Sequence, residues 1–300
     1  MAESPQFFDP RNLAKLEGLQ LRARQIVEGY VAGVHRSPYH GFSIEFAEHR
    51  EYTPGDDLRY VDWKVFGRSD KFYVKQYEEE TNLICYLLVD VSESMQYRGP
   101  DSALSKAEYA QCLAATLAYL VVRQQDSVAL ATFDDQLRDV VRPGAGATHW
   151  KHVLDVLGES GQKQKTASGP IFHELAERWK KRGLVIVLSD LFDDLHSLLG
   201  GLRHFRHRRH DVIVLHVLDR AELDFPFRRA TLFHGLEHLG DVLTHPASLR
   251  QGYLAEFNKF RETVRRGCRE QQVDYALMPT DRPIDEALAE YFGVRAARSK

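Results

Sequence analysis

Three oxygen-bearing side chains stand at alternate positions directly after an apolar run in this sequence. The run, residues 83–89, is short and continuous, which predicts a buried β-strand. Asp90, Ser92 and Ser94 follow it, and alternate residues of an extended segment share one face. One carboxylate and two hydroxyls can therefore converge on one point. Hard oxygen donors of this kind favour a hard divalent cation such as Mg²⁺.

A second acidic strand end and a glycine-rich loop add donors to this candidate site. The apolar run at residues 184–188 ends in Ser189 and Asp190, and the loop at residues 144–148 ends in Thr148. In parallel α/β sheets, ligands bind outside the carboxyl ends of the strands, where the strand order reverses. The sequence thus predicts that Asp190 and Thr148 join the three residues that follow the first strand.

The order and spacing of these five residues resemble the metal-ion-dependent adhesion site of von Willebrand factor A domains. In that family the ion keeps an open position, which a carboxylate of a protein partner fills. Because only two of the five residues here are carboxylates, the ion keeps positive charge and attracts such an oxygen. The expected ion is Mg²⁺, with Mn²⁺ or Ca²⁺ as alternatives. The resemblance implies these metal ligands: Asp90, Ser92, Ser94, Thr148 and Asp190.

An upstream segment carries a second and more extensive resemblance. Residues 50–63 read Arg-Glu-Tyr-Thr-Pro-Gly-Asp-Asp-Leu-Arg-Tyr-Val-Asp-Trp and are similar to the signature of the domain of unknown function 58 (DUF58) family. That family places the signature before a von Willebrand A-like domain, and the resemblance covers nearly the whole chain. Its members are frequently associated with MoxR-type AAA+ ATPases, so the resemblance implies such an ATPase as a partner.

The signature segment has two interpretations. We favour a structural plug with a turn at Pro54 and Gly55, arginine–carboxylate pairs and a packed tryptophan. The alternative is a docking face for a partner, because its spacing contains no nucleophile–base pair. The residues that would form this face are Arg50, Tyr52, Asp56, Asp57, Arg59, Asp62 and Trp63.

Alternating strand and helix patterns predict the fold class of the rest of the chain. From residue 83 onward, apolar runs alternate with helical stripes, which predicts an α/β fold with a doubly wound (Rossmann-like), mostly parallel sheet of the von Willebrand factor A type. The predicted domains are residues 1–80, a small N-terminal α+β subdomain of helix and signature, and residues 81–300. Short β-like pieces at residues 222–245 predict a hairpin insertion.

The composition restricts the class of protein. The 300 residues carry 40 Lys and Arg against 43 Asp and Glu, so bulk charge gives no reason to expect nucleic acid or an anionic membrane as a partner. Cys85, Cys112 and Cys268 lack the spacing of a metal site and are expected to be buried. No secretion signal or membrane span is evident. We therefore expect a cytoplasmic protein without direct membrane insertion.

Other polar clusters have local explanations that compete with functional ones. The aspartate pairs at residues 134–135 and 193–194 are expected to form a hairpin turn and a helix start, although either could extend the metal site. The basic run at residues 203–210 is expected to be a solvated helix end. Its alternatives are nucleic-acid contact and metal binding through three histidines, namely His204, His207 and His210.

Two functions fit these features. The first is a non-catalytic, divalent-metal-dependent interaction adaptor that works with a MoxR-type AAA+ ATPase in assembling or activating other proteins. The second is a Mg²⁺-dependent hydrolase acting on a phosphoester, since an ion with open positions can polarise a phosphoryl oxygen. His149, beside Thr148, is its tempting general base. The sequence contains no phosphate-binding loop, zinc-protease motif or nucleophile elbow, and we favour the adaptor.

Overall fold

A computed structural model describes residues 19, 20, 22, 23, 49–51, 73–75, 83–159, 168–235 and 240–298. The chain divides into two compact units, residues 34–82 and residues 1–33 together with 83–300. In the smaller unit, the described residues form two antiparallel strands, β1 (His49–Glu51) and β2 (Tyr73–Lys75). The domain boundary at residue 80 stays a prediction.

The larger unit alternates strands and helices, as the sequence predicts. None of the helices in the described part of the chain combines the length and the apolar character needed to cross a membrane. The strands are β3 (Ile84–Asp90), β4 (Ser127–Phe133), β5 (Leu137–Gly144), β6 (Leu184–Ser189), β7 (Asp211–Leu218), β8 (Thr231–Phe233), β9 (Val242–Thr244) and β10 (Asp274–Pro279). The helices are α1 (Lys106–Arg123), α2 (Ala147–Glu159), α3 (Ser168–Arg178), α4 (Leu195–His207), α5 (Arg220–Asp224), α6 (Pro246–Glu270) and α7 (Ile284–Arg298).

Six strands form one sheet in the order β10–β7–β6–β3–β4–β5. All neighbours are parallel except β5, which runs antiparallel to β4 at the edge. From the central strand β3 the chain builds outward to β5, then crosses over and builds outward again from β6. This doubly wound sheet is of the von Willebrand factor A type. Because the strand order reverses between β3 and β6, the crevice outside their carboxyl ends is the expected ligand site.

The sheet is buried on both faces, which explains why its strands read as continuous apolar runs. Every residue of β3 is buried. Cys85 and Leu87 belong to the cluster formed with α1 and α2, whereas Tyr86 and Leu88 belong to the cluster formed with α3 and α4. Each fully buried leucine or phenylalanine side chain contributes about 1.5–3 kcal/mol, so these two clusters fix the positions of the strand ends.

The three cysteines are free and buried, as the sequence predicts. Burial raises the pKa of the Cys85 thiol to about 12. A thiol that stays protonated is a weak nucleophile and a weak metal ligand, so Cys85 acts as a small apolar core residue.

The predicted hairpin insertion is present between α5 and α6. Strands β8 and β9 pair antiparallel, and aromatic rings hold the hairpin to α6. The buried ring of Phe225 stacks on Tyr253 at 4.4 Å between centroids and lies 5.9 Å from Phe233. These ring contacts give the hairpin a defined position beside the carboxyl end of the sheet.

Candidate functional site

Asp90 ends β3 as a fully buried carboxyl group. Its Oδ1 accepts a hydrogen bond from the Ser92 backbone N–H at 2.9 Å, and its Oδ2 accepts one from the Ser189 hydroxyl at 2.5 Å. Burial, followed by the charge of Asp190, raises the pKa of Asp90 to about 7, although these hydrogen bonds oppose the shift. At neutral pH this carboxyl group is therefore poised to take up a proton or another cation.

The hydroxyls of Ser92 and Ser94 lie together, next to Asp90. Both residues are buried and their Oγ atoms are 3.1 Å apart. The Val91 backbone N–H donates to the Phe133 carbonyl at 2.8 Å, which ties this turn to the end of β4. The structure therefore brings together the carboxylate and the two hydroxyls that the alternating pattern singled out.

Asp190 follows β6, the strand beside β3, and is fully buried. The chain turns sharply after it, because Leu191 has a φ of 58°, which costs a non-glycine residue about 1–3 kcal/mol. The turn is held by the Leu191 N–H, which donates to the Ser189 hydroxyl at 2.9 Å. The same hydroxyl donates to Asp90, so Ser189 links the two acidic strand ends.

His216 supports the backbone of Asp190 from the neighbouring strand β7. Its Nε2 lies 2.8 Å from the Asp190 carbonyl oxygen, and its Nδ1 lies 2.8 Å from the Tyr275 hydroxyl. Burial lowers the pKa of His216 to about 4. A neutral ring that donates through Nε2 and accepts through Nδ1 satisfies both contacts, so His216 has a positioning role.

Lys106 is the residue of this site that sequence reasoning missed. Its Nζ donates to Asp190 Oδ2 and to Glu222 Oε1, each at 2.7 Å, and its side chain is 1% exposed. Burial alone would lower the pKa of Lys106, but the attraction of Asp190 and Glu222 raises it above its ordinary value. The one sequence signal is a lysine directly after the N-cap Ser105, where acidic residues are favoured.

Thr148 does not join this site, which corrects the sequence prediction. Strand β5 runs antiparallel to β4, so Gly144 pairs with Val128 at the start of β4. His149 Nε2 lies 2.8 Å from the Val128 carbonyl oxygen, and the exposed Thr148 is its neighbour in α2. Asp90 pairs with Phe133, which is five residues further along β4. The strand position beside Asp90 and the strand position beside Gly144 are therefore about 16 Å apart.

The remaining donors fit a hard divalent ion by their chemistry. Asp90, Ser92 and Ser94 offer oxygen atoms, and Asp190 offers a second carboxylate that is at present paired with Lys106. No group of three His, Cys, Asp or Glu side chains in the described ranges is arranged to hold a metal, so hydroxyl ligands would be essential here. The carboxylates at this end of the sheet outnumber the ammonium that pairs with them, which favours an added cation.

An open cavity of about 830 Å³ adjoins Asp90. One wall is the loop that follows β3, with the exposed Arg98, and the start of α1. The opposite wall is the hairpin insertion, where Phe227 and Leu232 line the cavity. Leu232 is 48% exposed. The cavity therefore places a cation and an apolar wall beside Asp90.

The two aspartate pairs take the local roles expected of them, whereas the basic run is only partly exposed. Asp134 Oδ2 pairs with Arg138 Nε at 2.8 Å in the turn between β4 and β5. Asp194 caps α4 by accepting the Ser197 N–H at 2.7 Å. In the basic run, His210 is buried with its Nε2 3.1 Å from the Trp179 carbonyl oxygen, so a three-histidine metal site does not form.

Ser168, at the start of α3, is a further buried hydroxyl that the sequence analysis did not select. Its N–H donates to Asp193 Oδ2 at 2.6 Å, which places it near the carboxyl end of β6. Its Oγ has no hydrogen-bond partner among the described residues.

Of the predicted docking face, only the backbone of Arg50 is described, in β1. The rest lies outside the described residues: Tyr52, Asp56, Asp57, Arg59, Asp62 and Trp63.

The raised pKa of Asp90 predicts a pH-dependent stability in the absence of divalent ions. The folded pKa of about 7 exceeds the ordinary value of 3.8, so the folded state binds the proton more tightly and loses stability as the pH rises through this interval. Between pH 5 and pH 8, the variant Asp90→Asn is expected to gain about 1–3 kcal/mol of unfolding free energy relative to the wild type.

Urea titrations of both proteins in chelator at several pH values measure this difference. The comparison cancels the opposite contribution of His216, whose lowered pKa makes the protein less stable as the pH falls toward 4. A difference that stays constant with pH would contradict the raised pKa of Asp90.

Three solved structures are among those similar to this chain. The conserved hypothetical protein BatB from Bacteroides thetaiotaomicron has 14% sequence identity and a TM-score of 0.43, with 70% of this chain and 99% of BatB covered. An aerotolerance-related membrane protein from Bacteroides fragilis has 16% identity and a TM-score of 0.45, covering 70% and 98%. The VWA domain of SpRpn10 has 11% identity and a TM-score of 0.41, covering 69% and 94%.

Sequence comparison gives the family. Uncharacterized proteins of Mycobacterium tuberculosis (strain H37Rv) and Mycobacterium bovis are each 25% identical to this chain over 253 residues, which cover 83% of this chain and 74% of theirs. The model of the family described as protein of unknown function DUF58 matches residues 48–263, so this chain belongs to the DUF58 family.

Proposed function

We propose that this protein is a non-catalytic adaptor that binds a protein partner through a divalent metal ion at the carboxyl end of its sheet. The observation that carries the proposal is the buried carboxyl group of Asp90 beside the paired hydroxyls of Ser92 and Ser94. These groups lie at the reversal of strand order, and Asp90 borders an open cavity. A buried acid with two hydroxyl neighbours is well suited to a hard cation.

Mg²⁺ is the ion that this donor set favours, with Mn²⁺ or Ca²⁺ as alternatives. Asp90, Ser92 and Ser94 would hold it, and Asp190 would contribute once its oxygen is released by Lys106. Hydroxyl ligands add no negative charge, so the bound ion keeps net positive charge. It would therefore attract a carboxylate from a partner, and a protein–protein contact of this kind needs no catalytic base.

The cavity beside Asp90 suggests the chemistry of the partner. Phe227 and Leu232 of the hairpin insertion provide an apolar wall, and Arg98 provides an exposed cation on the other side. A partner segment with an acidic side chain next to an apolar one would match both. The resemblance to DUF58 proteins supports a MoxR-type AAA+ ATPase as the protein that carries this segment.

The phosphoester hydrolase receives no support from the site. His149, its candidate base, lies at the opposite end of the sheet from Asp90. His216 lies near Asp190, but both of its ring nitrogens are engaged with Tyr275 and a backbone carbonyl.

A capture experiment tests the adaptor proposal. Immobilised full-length protein is exposed to extract of its native cell in Mg²⁺, with a chelator as the control, and the retained proteins are identified. The expected result is a MoxR-type AAA+ ATPase that is retained in Mg²⁺ and lost in the chelator. Retention of the same proteins with and without the ion would overturn the metal-dependent adaptor.

The apolar wall gives a second expected result. Leu232→Asp places a charge at the rim of the cavity and is expected to weaken binding of the captured ATPase by about tenfold or more, since buried apolar anchors dominate interface energies. Leu249→Asp is the matched control, because Leu249 is 49% exposed against 48% for Leu232 but does not line the cavity. Calorimetry with the purified ATPase measures both. Equal affinities for the two variants would place the partner elsewhere.

A further inference from the structure

Lys106 places an ammonium group inside the candidate metal site. Its Nζ is 2.7 Å from oxygen atoms of both Asp190 and Glu222, and the lysine and Asp190 side chains are 1% and 0% exposed. The ammonium also lies 4.9 Å from the centroid of the Phe192 ring and 5.7 Å from that of Tyr97. It is thus enclosed by two carboxylates and two aromatic rings.

The position of Lys106 is unfavourable without those carboxylates. The residue opens α1, where the positive end of the helix dipole repels a cation, and burial of a charge costs several kcal/mol unless it is paired. A long cationic side chain here therefore depends on Asp190 and Glu222. Conversely, Asp190 owes much of its stability as a buried carboxylate to Lys106.

We propose that Lys106 is an internal counter-ion that competes with the divalent ion for Asp190 and so sets the affinity of the site. The inference rests on the proposed metal-dependent function. Asp190 Oδ1 accepts the Phe192 N–H at 3.3 Å while Oδ2 is paired with Lys106, so Asp190 reaches a divalent ion with full strength only when the ammonium withdraws. Lys106 is a positioning residue in this scheme, not a metal ligand.

Glu222 gives the displaced ammonium a place to remain. Its Oε1 binds Lys106, while its Oε2 accepts the Asp219 N–H at 2.8 Å and so caps α5. Lys106 can therefore release Asp190 while it stays paired with Glu222. The exchange takes place beside α5, the helix that leads into the hairpin insertion.

The experiment measures Mg²⁺ binding to the full chain, without any partner, by calorimetry and by the shift in melting temperature. Lys106→Met keeps the apolar stem and removes the ammonium, and Lys151→Met, at an exposed lysine of α2, is the matched control. A second pair of variants consists of Glu222→Gln alone and Glu222→Gln combined with Lys106→Met. The combined variant has one fewer uncompensated carboxylate than Lys106→Met alone, so this pair still gives a result if the single variant does not fold.

Lys106→Met is expected to bind Mg²⁺ about tenfold tighter than the wild type or more, and the same gain is expected within the Glu222→Gln pair. Lys151→Met should match the wild type. If Mg²⁺ binds the wild type and its affinity is unchanged in both Lys106 variants, the competition is overturned while the proposed function stands. If Mg²⁺ binds only the Lys106 variants, the competition is supported and metal dependence of the wild type fails. Binding to no variant overturns both.

Discussion

Substitution of Lys106 by methionine is expected to lower the free energy of unfolding by about 3–5 kcal/mol in the absence of divalent ions. The reason is that Asp190 and Glu222, 0% and 13% exposed, lose the ammonium that neutralises them. Removing one partner of a buried ion pair costs more than the pair contributes, because the remaining charge stays desolvated. Chemical denaturation in urea with a chelator measures the change.

Two comparisons make this result specific. Lys151→Met, on the exposed face of α2, is expected to change the free energy of unfolding by less than about 0.5 kcal/mol. Addition of Mg²⁺ is expected to restore part of the stability lost in Lys106→Met, because the ion replaces the missing positive charge. A Lys106 variant as stable as the Lys151 variant in chelator would show that the two carboxylates do not depend on the ammonium.

Substitution of Asp90 by alanine is expected to abolish metal-dependent binding of the partner. Asp90 Oδ1 accepts the Ser92 backbone N–H, which keeps this carboxyl group beside Ser92, and its loss should weaken Mg²⁺ binding by about a hundredfold or more. The variant is expected to fold, because a buried acid with a pKa of about 7 opposes folding at pH 8. Calorimetry with Mg²⁺ and capture of the ATPase measure the two effects.

Asp101→Ala is the matched control for this experiment, because Asp101 is an exposed aspartate in the loop between β3 and α1. It is expected to retain both Mg²⁺ binding and capture. If Asp90→Ala also retains both, the adaptor does not use a metal at this site. Loss of capture with unchanged Mg²⁺ affinity would instead place the ion at another position and leave Asp90 as a direct partner contact.

Local sequence patterns were sufficient for the fold. Continuous apolar runs correctly marked β3 and β6, because strands buried on both faces do not alternate apolar with polar residues. The turn predicted at Asp134 correctly marked the end of β4 and the start of β5. The same reasoning predicted that acidic residues at the ends of β3 and β6 share one edge of the sheet, since parallel neighbours end together.

The Thr148 error shows what pattern matching overlooks. The sequence already predicted a tight turn between β4 and β5, and a tight turn makes neighbouring strands antiparallel. The chain after β5 must then emerge at the amino end of β4, where Gly144 pairs with Val128. The direction of an edge strand, not the type of residue in the loop, decided which hydroxyls could reach Asp90.

The sequence by itself determined the class of sheet and the meeting of Asp90, Ser92 and Asp190, because strand periodicity and chain direction are local properties. Only the tertiary structure revealed Lys106 between Asp190 and Glu222, which lie 84 and 116 residues away along the chain. An ion pair of this kind leaves no periodic trace, since it depends on which helix covers which strand end. The physical consequence is that the charge balance of the site, and hence its affinity for a cation, is set by long-range packing.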